Sequence, residues 1–321
     1  MIMVIMFVPR GRVCSLRTVL LRITTIVLLF SGLTGCVTPP PAAEKPVIVV
    51  GMYPLEFIAR EVAGPLADIR VLIPPGVEPH DYELTPTQTA LLLSADLVFY
   101  QSGVSAVIDT VLTGQDMARV VDTATLVAGL PSDSNYQRDG DANPIPGTPL
   151  DPHTWMNPAN MSVFTTVFTD RLVELLPANT TTIGQASQRL IARLGELDSA
   201  WLAALTNCER REFLTAHDAF RYLASAYNLT QLAIAGINPE DEPTPAHLAE
   251  VSAAANKFGI TTVFYEPLVS RDALSGLAND LGLQLAVLDP LEAITDSSAG
   301  NDYLEVMYAN MEALRLANGC K

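Results

Sequence analysis

The alternation of short apolar runs with helical patterns is the feature that most restricts the fold of this chain. Most of these runs are followed by residues spaced for an amphipathic helix. The expected strands are residues 47–50, 69–73, 97–100, 119–121, 212–215, 231–234, 261–265 and 284–288. This βαβα order predicts an α/β fold of two related lobes, each with a mostly parallel sheet and helices on both faces.

A single long helical pattern separates the two halves. Residues 180–205 contain no proline and carry apolar residues at helical spacing. A helix of this length can pass as a rod from one lobe to the other, at about 1.5 Å per residue. We therefore expect an N-terminal lobe at 47–178, a linking helix at 179–207 and a C-terminal lobe at 208–321, with the metal site described below in the cleft between the lobes.

The first 46 residues look like a targeting segment. Four arginines precede an apolar stretch at 23–30, and Leu33-Thr34-Gly35-Cys36 follows. The tetrad resembles the lipobox of bacterial lipoproteins, which implies a signal peptide at 1–35, a lipidated Cys36 and a tether at 36–46. The alternative is a membrane-spanning helix, but the stretch is short of the ~20 residues that a span needs. The chain is thus expected to be exported, and either lipid-anchored at the outer face of the cell membrane or periplasmic.

The charge of the chain restricts its partners. The formal net charge is −16, and the predicted signal peptide removes only basic residues from that balance. Such an acidic chain is a poor partner for nucleic acid. The charge suits a cationic ligand, although many exported proteins are acidic for solubility alone.

Several chemistry-bearing residues follow predicted strands directly. His80 lies between a strand and a helix that Thr85-Pro86-Thr87-Gln88 opens, and His217 and Asp289 each come after a strand of the second half. Ligands of open α/β sheets bind at these strand ends. His153 follows a polar loop at 131–150. Three imidazoles and one carboxylate suit Zn²⁺, and four protein ligands describe a closed binding site.

Each residue also has a plain structural interpretation. A lone histidine is more often a core or surface group than a ligand, and His247, near a helix start, is assigned to that class. Asp289 before a proline can be a turn residue. Glu266, also at a strand end, is either an acceptor for the N–H of a ligand imidazole or a solvated loop acid. Glu78 is either a spare carboxylate ligand or a solubility residue of the loop.

Two cysteines remain once Cys14 and Cys36 are assigned to the N-terminal segment. Cys208 and Cys320 are expected to pair outside the cytoplasm. The alternative is a pair of free buried thiols.

Four stretches together resemble the metal-binding lipoproteins of bacterial ABC uptake systems, in their zinc and manganese branch. They are PHDYELTP at 79–86, DPHTWMNP at 151–158, AHDAFRYLA at 216–224 and LDPL at 288–291. The resemblance covers the mature chain in order. It implies two α/β lobes bridged by one helix, with the ligands of the family at His80, His153, His217 and Asp289. Manganese members carry a glutamate where His217 stands. Many zinc members have a histidine-rich loop, whereas 131–150 has no histidine.

The expected function is therefore that of a non-enzymatic, monomeric receptor, which captures Zn²⁺ and delivers it to an ABC permease with its ATPase subunit. A manganese or iron receptor of the same family is the alternative. A zinc hydrolase would need an open coordination position, and an adhesin of the same fold would not depend on the histidines. The cysteine pair resembles that of some zinc members.

Overall fold

A computed structural model describes residues 44–131, 150–268 and 271–321. The predicted signal peptide, Cys36, nearly all of the predicted tether and residues 132–149 of the histidine-free loop lie outside the described residues. Within the described ranges, no helix is both long enough and apolar enough to cross a membrane. Residues Lys45–Lys321 form one compact unit. The predicted lobe boundaries within that unit stay a prediction.

Eight short strands form two four-stranded sheets within the residues that the structure describes. The strands are β1 Val47–Val50, β2 Asp68–Val71, β3 Leu97–Tyr100, β4 Val120–Asp122, β5 Glu212–Thr215, β6 Thr230–Ala233, β7 Thr262–Tyr265 and β8 Gln284–Val287. All pairings are parallel, in the orders β2-β1-β3-β4 and β6-β5-β7-β8. Each sheet thus places its second strand at one edge and its first strand beside it. The predicted α/β class with two related lobes is confirmed.

Nine α-helices connect and cover the sheets in the described part of the chain. They are α1 Tyr53–Ala63, α2 Pro86–Ser94, α3 Ala106–Leu112, α4 Pro158–Leu175, α5 Thr180–Ala204, α6 Arg221–Ala226, α7 Pro245–Phe258, α8 Arg271–Leu281 and α9 Tyr303–Ala317. Three of them have a proline in the first helical position after an Asn or Thr cap, where the missing N–H costs nothing.

The long helix α5 joins the two lobes through a shared core. It packs against α1 and α4 of the first lobe and against α9 of the second. Its apolar face is fully buried, including Leu190, Leu194, Leu197 and Trp201. One apolar cluster extends from the first sheet through this face to α9, and a smaller one fills the other side of the second sheet. Because α5 is buried along this face, it holds the lobes together rather than only tethering them.

A disulfide closes the second lobe on the side where strand β5 begins, opposite the C-terminal ends of the strands. Cys208 precedes β5, Cys320 follows α9, and the two are bonded across 112 residues of sequence. The expected cysteine pairing is therefore present, and it fixes the last helix to the first strand of its lobe.

Candidate metal centre

His80 is held by the helix that follows it. A capping box opens this helix, since Thr85 Oγ1 accepts from Gln88 N and Gln88 Oε1 accepts from Thr85 N. Gln88 Nε2 also donates to the Leu72 carbonyl and to the Tyr82 hydroxyl, at 2.7 Å each. One glutamine thus ties the end of β2, the loop and the start of α2 together. These bonds fix the loop in which His80 lies.

His153 lies between the histidine-free loop and α4. Leu130 O accepts from Asp151 N at 2.8 Å, and an antiparallel bridge joins Pro131 to Leu150 at the base of the loop. Asp151 Oδ1 then accepts from both His153 N and His153 Nδ1, at 2.9 and 2.7 Å. Both side chains are fully buried. Asp151 therefore orients the buried imidazole of His153, a role that was not predicted from the sequence.

His217 follows β5 and is oriented in the same way. Its Nδ1 lies 2.6 Å from Glu266 Oε2, and its backbone N donates to Glu266 Oε1 at 3.3 Å. Glu266 comes directly after β7, the neighbour of β5 in the sheet. Of the two interpretations of Glu266, the imidazole acceptor fits the structure. Asp151 and Glu266 thus play matching parts in the two lobes.

The carboxylate beside the three histidines is Glu292 and not Asp289. One ligand atom from each of His80, His153, His217 and Glu292 lies within 4.8 Å of the others. Asp289 is buried, but its Oδ1 accepts from Leu291 N at 2.8 Å. The expectation for Asp289 relied on its position at a strand end and on the family resemblance. The turn that follows carries the chain onward, so that the glutamate three residues later reaches the histidines.

The four groups converge through specific atoms. Glu292 Oε1 lies 3.4 Å from His80 Nε2, 3.3 Å from His153 Nε2 and 3.6 Å from His217 Nε2. The Nε2 atoms of His80 and His153 are 3.3 Å apart. Side-chain exposure is 6% for His80 and at most 1% for the other three. Solvent therefore reaches the site mainly beside His80.

Acceptors behind the rings determine which nitrogen faces the centre. His80 Nδ1 lies 3.2 Å from the Val104 carbonyl, and the other two Nδ1 atoms face the carboxylates described above. A carbonyl or carboxylate can only accept, so each Nδ1 carries the proton. Three Nε2 lone pairs and a carboxylate oxygen then face one another. Such a set repels itself unless a cation, either a metal ion or protons, lies among its members.

In the absence of a metal ion, protons supply the positive charge among these four groups. Burial alone lowers the pKa of His153, but Asp151 and Glu292 outweigh burial and raise it to about 9. Burial likewise opposes charge on His217, yet Glu266 and Glu292 raise its pKa well above the ordinary value. Burial would raise the pKa of Glu292, but hydrogen bonds with the three imidazoles hold it well below its usual range. In the metal-free protein, these shifts favour a protonated His153 and His217 beside an ionised Glu292 near neutral pH.

Other candidate residues from the sequence lie either around the centre or away from it. Glu78 Oε1 accepts from His80 N at 3.1 Å, and burial together with Glu292 raises the pKa of Glu78 to about 7. The Trp155 ring lies 5.2 Å from the His153 ring, centroid to centroid. His247 stays apart, with Nε2 3.0 Å from the Ala233 carbonyl. The assignment of His247 to the non-ligand class agrees with this position.

The chain is similar to several known proteins. A family model described as ZnuA, zinc-uptake complex component A, periplasmic, matches residues 48–317. The zinc-binding lipoprotein AdcA of Streptococcus pneumoniae R6 is 30% identical over 308 residues, which are 94% of this chain and 61% of that protein. The chain therefore spans about three fifths of the length of this curated relative.

Two further comparisons cover nearly all of the matched protein. The high-affinity zinc uptake system protein ZnuA of Bacillus subtilis 168 is 29% identical over 283 residues, 85% of this chain and 87% of that protein. The crystal structure of the Zn(II)-bound ZnuA-like domain of Streptococcus pneumoniae AdcA superposes with a TM-score of 0.69 at 31% identity. That match covers 85% of this chain and 99% of the domain.

Proposed function

This chain belongs to the family of component A of zinc-uptake complexes, and on that premise we propose that it is an extracytoplasmic receptor for Zn²⁺. The ligands in this proposal are Nε2 of His80, His153 and His217 and the carboxylate of Glu292. The convergence of these four buried groups on one point is the observation that carries the proposal.

The spacing of the ligand atoms suits a tetrahedral ion. Metal–ligand distances of about 2.0–2.1 Å in a tetrahedral zinc site separate neighbouring ligand atoms by about 3.3–3.4 Å. Three carboxylate–nitrogen separations of 3.3–3.6 Å and one nitrogen–nitrogen separation of 3.3 Å are close to these edges. Four of the six separations in the set are therefore close to the edges of a zinc site, and all four ligand atoms lie within 4.8 Å of one another.

The chemistry of the ligands favours zinc over manganese. Imidazole nitrogen suits Zn²⁺, whereas Mn²⁺ prefers carboxylate, carbonyl and water oxygens. Zinc also binds N/O sites more tightly than manganese in the Irving–Williams order. Four protein ligands fill a tetrahedral zinc and leave no position for a reacting water, which argues for a binding role over hydrolysis.

The metal is cargo in this proposal, and the receptor passes it to an ABC permease and its ATPase subunit. We further propose that the chain acts as a monomer outside the cytoplasm, anchored by a lipid on Cys36. The family assignment supports the transport role. The anchor rests on the lipobox-like tetrad alone. Mass spectrometry of protein from membranes tests it, and an unlipidated Cys36 with the signal peptide retained would contradict it.

Competition dialysis against equimolar Zn²⁺ and Mn²⁺, followed by metal analysis, tests the receptor proposal. The expected result is one zinc per chain and little manganese. His217→Ala and Glu292→Gln should lose most of the bound zinc, since each removes one of four ligands. His247→Gln is the matched control, because that histidine lies outside the centre. Preferential uptake of manganese by the wild-type protein would refute the assignment to zinc.

A further inference from the structure

The turn that carries Glu292 has an uncommon backbone conformation. Leu291, the preceding residue, has φ of +60° and is fully buried. Leucine has no polar side chain that could form a local hydrogen bond and stabilise the left-handed conformation. Contacts with its surroundings must therefore stabilise it. The direction in which the next side chain leaves the turn depends on it. The position of the Glu292 carboxylate therefore depends on the contacts that hold Leu291 in this conformation.

Asp289 supplies the main contact. Its Oδ1 accepts from Leu291 N at 2.8 Å, which is the bond of an Asx-turn. Asn310 on α9 clamps the same residue, because its Oδ1 accepts from Asp289 N at 2.9 Å and its Nδ2 donates to Asp289 O at 2.7 Å. Asp289 and Asn310 are each 2% exposed. These bonds are thus shielded from water and fix the turn to the body of the second lobe.

A further bond comes from the first lobe. Trp155 Nε1 donates to Pro290 O at 2.7 Å, and Tyr303 Oη donates to Trp155 O at the same distance. Trp155 lies two residues after His153, and Pro290 lies two residues before Glu292. The turn is therefore held from both lobes close to the two ligands.

We propose that Asp289 is a positioning residue, which holds Leu291 in the left-handed conformation and thereby directs the Glu292 carboxylate at the three histidines. This inference rests on the proposed function. In this role, Asp289 needs its Oδ1 as a hydrogen-bond acceptor, but it does not need its negative charge. Asparagine keeps that acceptor, whereas alanine removes it. A direct metal ligand would instead depend on the charge of the carboxylate.

Four variants separate these roles: Asp289→Ala, Asp289→Asn, and Asp289→Ala combined with Leu291→Gly or with Leu291→Ala. Zinc affinity is measured by competition with a chelator. The absorption spectrum of the Co²⁺-substituted protein reports the coordination number, and Glu292→Gln provides the spectrum of the centre without its carboxylate. Circular dichroism verifies that each variant is folded.

Asp289→Ala should weaken zinc binding by about 10–100-fold, the usual effect of losing a group that orients a ligand. Its cobalt spectrum should resemble that of Glu292→Gln, whereas Asp289→Asn should resemble the wild type in both readouts. Leu291→Gly should restore more affinity to Asp289→Ala than Leu291→Ala does. Both substitutions remove the leucine side chain, but only glycine adopts a positive φ without steric cost.

Equal losses in Asp289→Asn and Asp289→Ala would overturn the inference, as would equal affinities of the glycine and alanine double variants. If Asp289→Ala does not fold, the single substitutions decide: Leu291→Gly must bind zinc more tightly than Leu291→Ala. A wild-type protein that takes up no zinc would refute the proposed function itself. Zinc binding by the wild type with an unaffected Asp289→Ala would refute only the positioning role.

Discussion

Zinc binding is expected to strengthen steeply with pH, because protons occupy the centre before the metal does. The pKa of His153 is raised to about 9, and that of His217 is raised as well. Zinc needs both imidazoles with a free Nε2, so each bound metal must displace these protons. The perturbation is a change of pH from 6.5 to 9, where the upper value is the pH at which His153 is half deprotonated.

The size of the effect follows from the shift of His153. A proton with a pKa of about 9 weakens metal binding at pH 7 by about 100-fold, or about 2.7 kcal/mol. The apparent affinity should therefore rise about tenfold per pH unit up to pH 9 from His153 alone. Deprotonation of His217 adds to this slope. An ordinary histidine with a pKa near 6.5 would give almost no change above pH 7.5.

The assay is a chelator competition at half-unit pH steps, combined with calorimetry in buffers of different ionisation enthalpy. The calorimetry counts the protons that zinc releases. At pH 7 it should find at least one, and His153→Ala should release fewer than the wild type. His247→Gln is the control, since it should leave the count unchanged. A flat affinity between pH 7.5 and 9 would refute the reasoning.

The same shift predicts how stability depends on pH. The folded pKa of His153 lies above its unfolded value of about 6.5, so its ion pairs contribute fully below pH 6.5. That contribution is lost as pH rises through about 9 in the metal-free protein. The melting temperature without zinc should fall over this interval while the increase caused by zinc grows. A zinc-induced increase that shrinks with rising pH would contradict the assignment.

Three further outcomes are expected. His217→Glu should shift preference toward Mn²⁺ in competition dialysis, because it replaces a nitrogen with an oxygen ligand. Cys208→Ser with Cys320→Ser opens a loop of 112 residues and should lower the free energy of unfolding in urea by at most about 4–5 kcal/mol. Trp155→Phe removes the donor to Pro290 O and should cost about 1–3 kcal/mol by the same measurement, since it leaves a buried acceptor unpaired.

Local sequence was enough to predict the elements and three of the four groups at the centre. The period of apolar residues and the caps are properties of neighbouring residues, so strands such as 97–100 and the start of α2 at Pro86 could be predicted from them. Parallel strands end at the same edge of a sheet, which brings residues such as His217 and Glu266 together. The position of His80 follows from the same rule.

The tertiary structure alone decided which carboxylate completes the centre. Asp289 stands at the strand end, as the rule requires, but its Oδ1 is bonded to Leu291 N and Glu292 takes the place beside the histidines. The direction of a side chain after a turn depends on backbone angles such as φ of +60° at Leu291, which no local apolar pattern encodes. Likewise, the contact between Asp151 and His153 was evident only from the tertiary structure. A carboxylate two residues from a histidine has many possible partners until the fold fixes its rotamer.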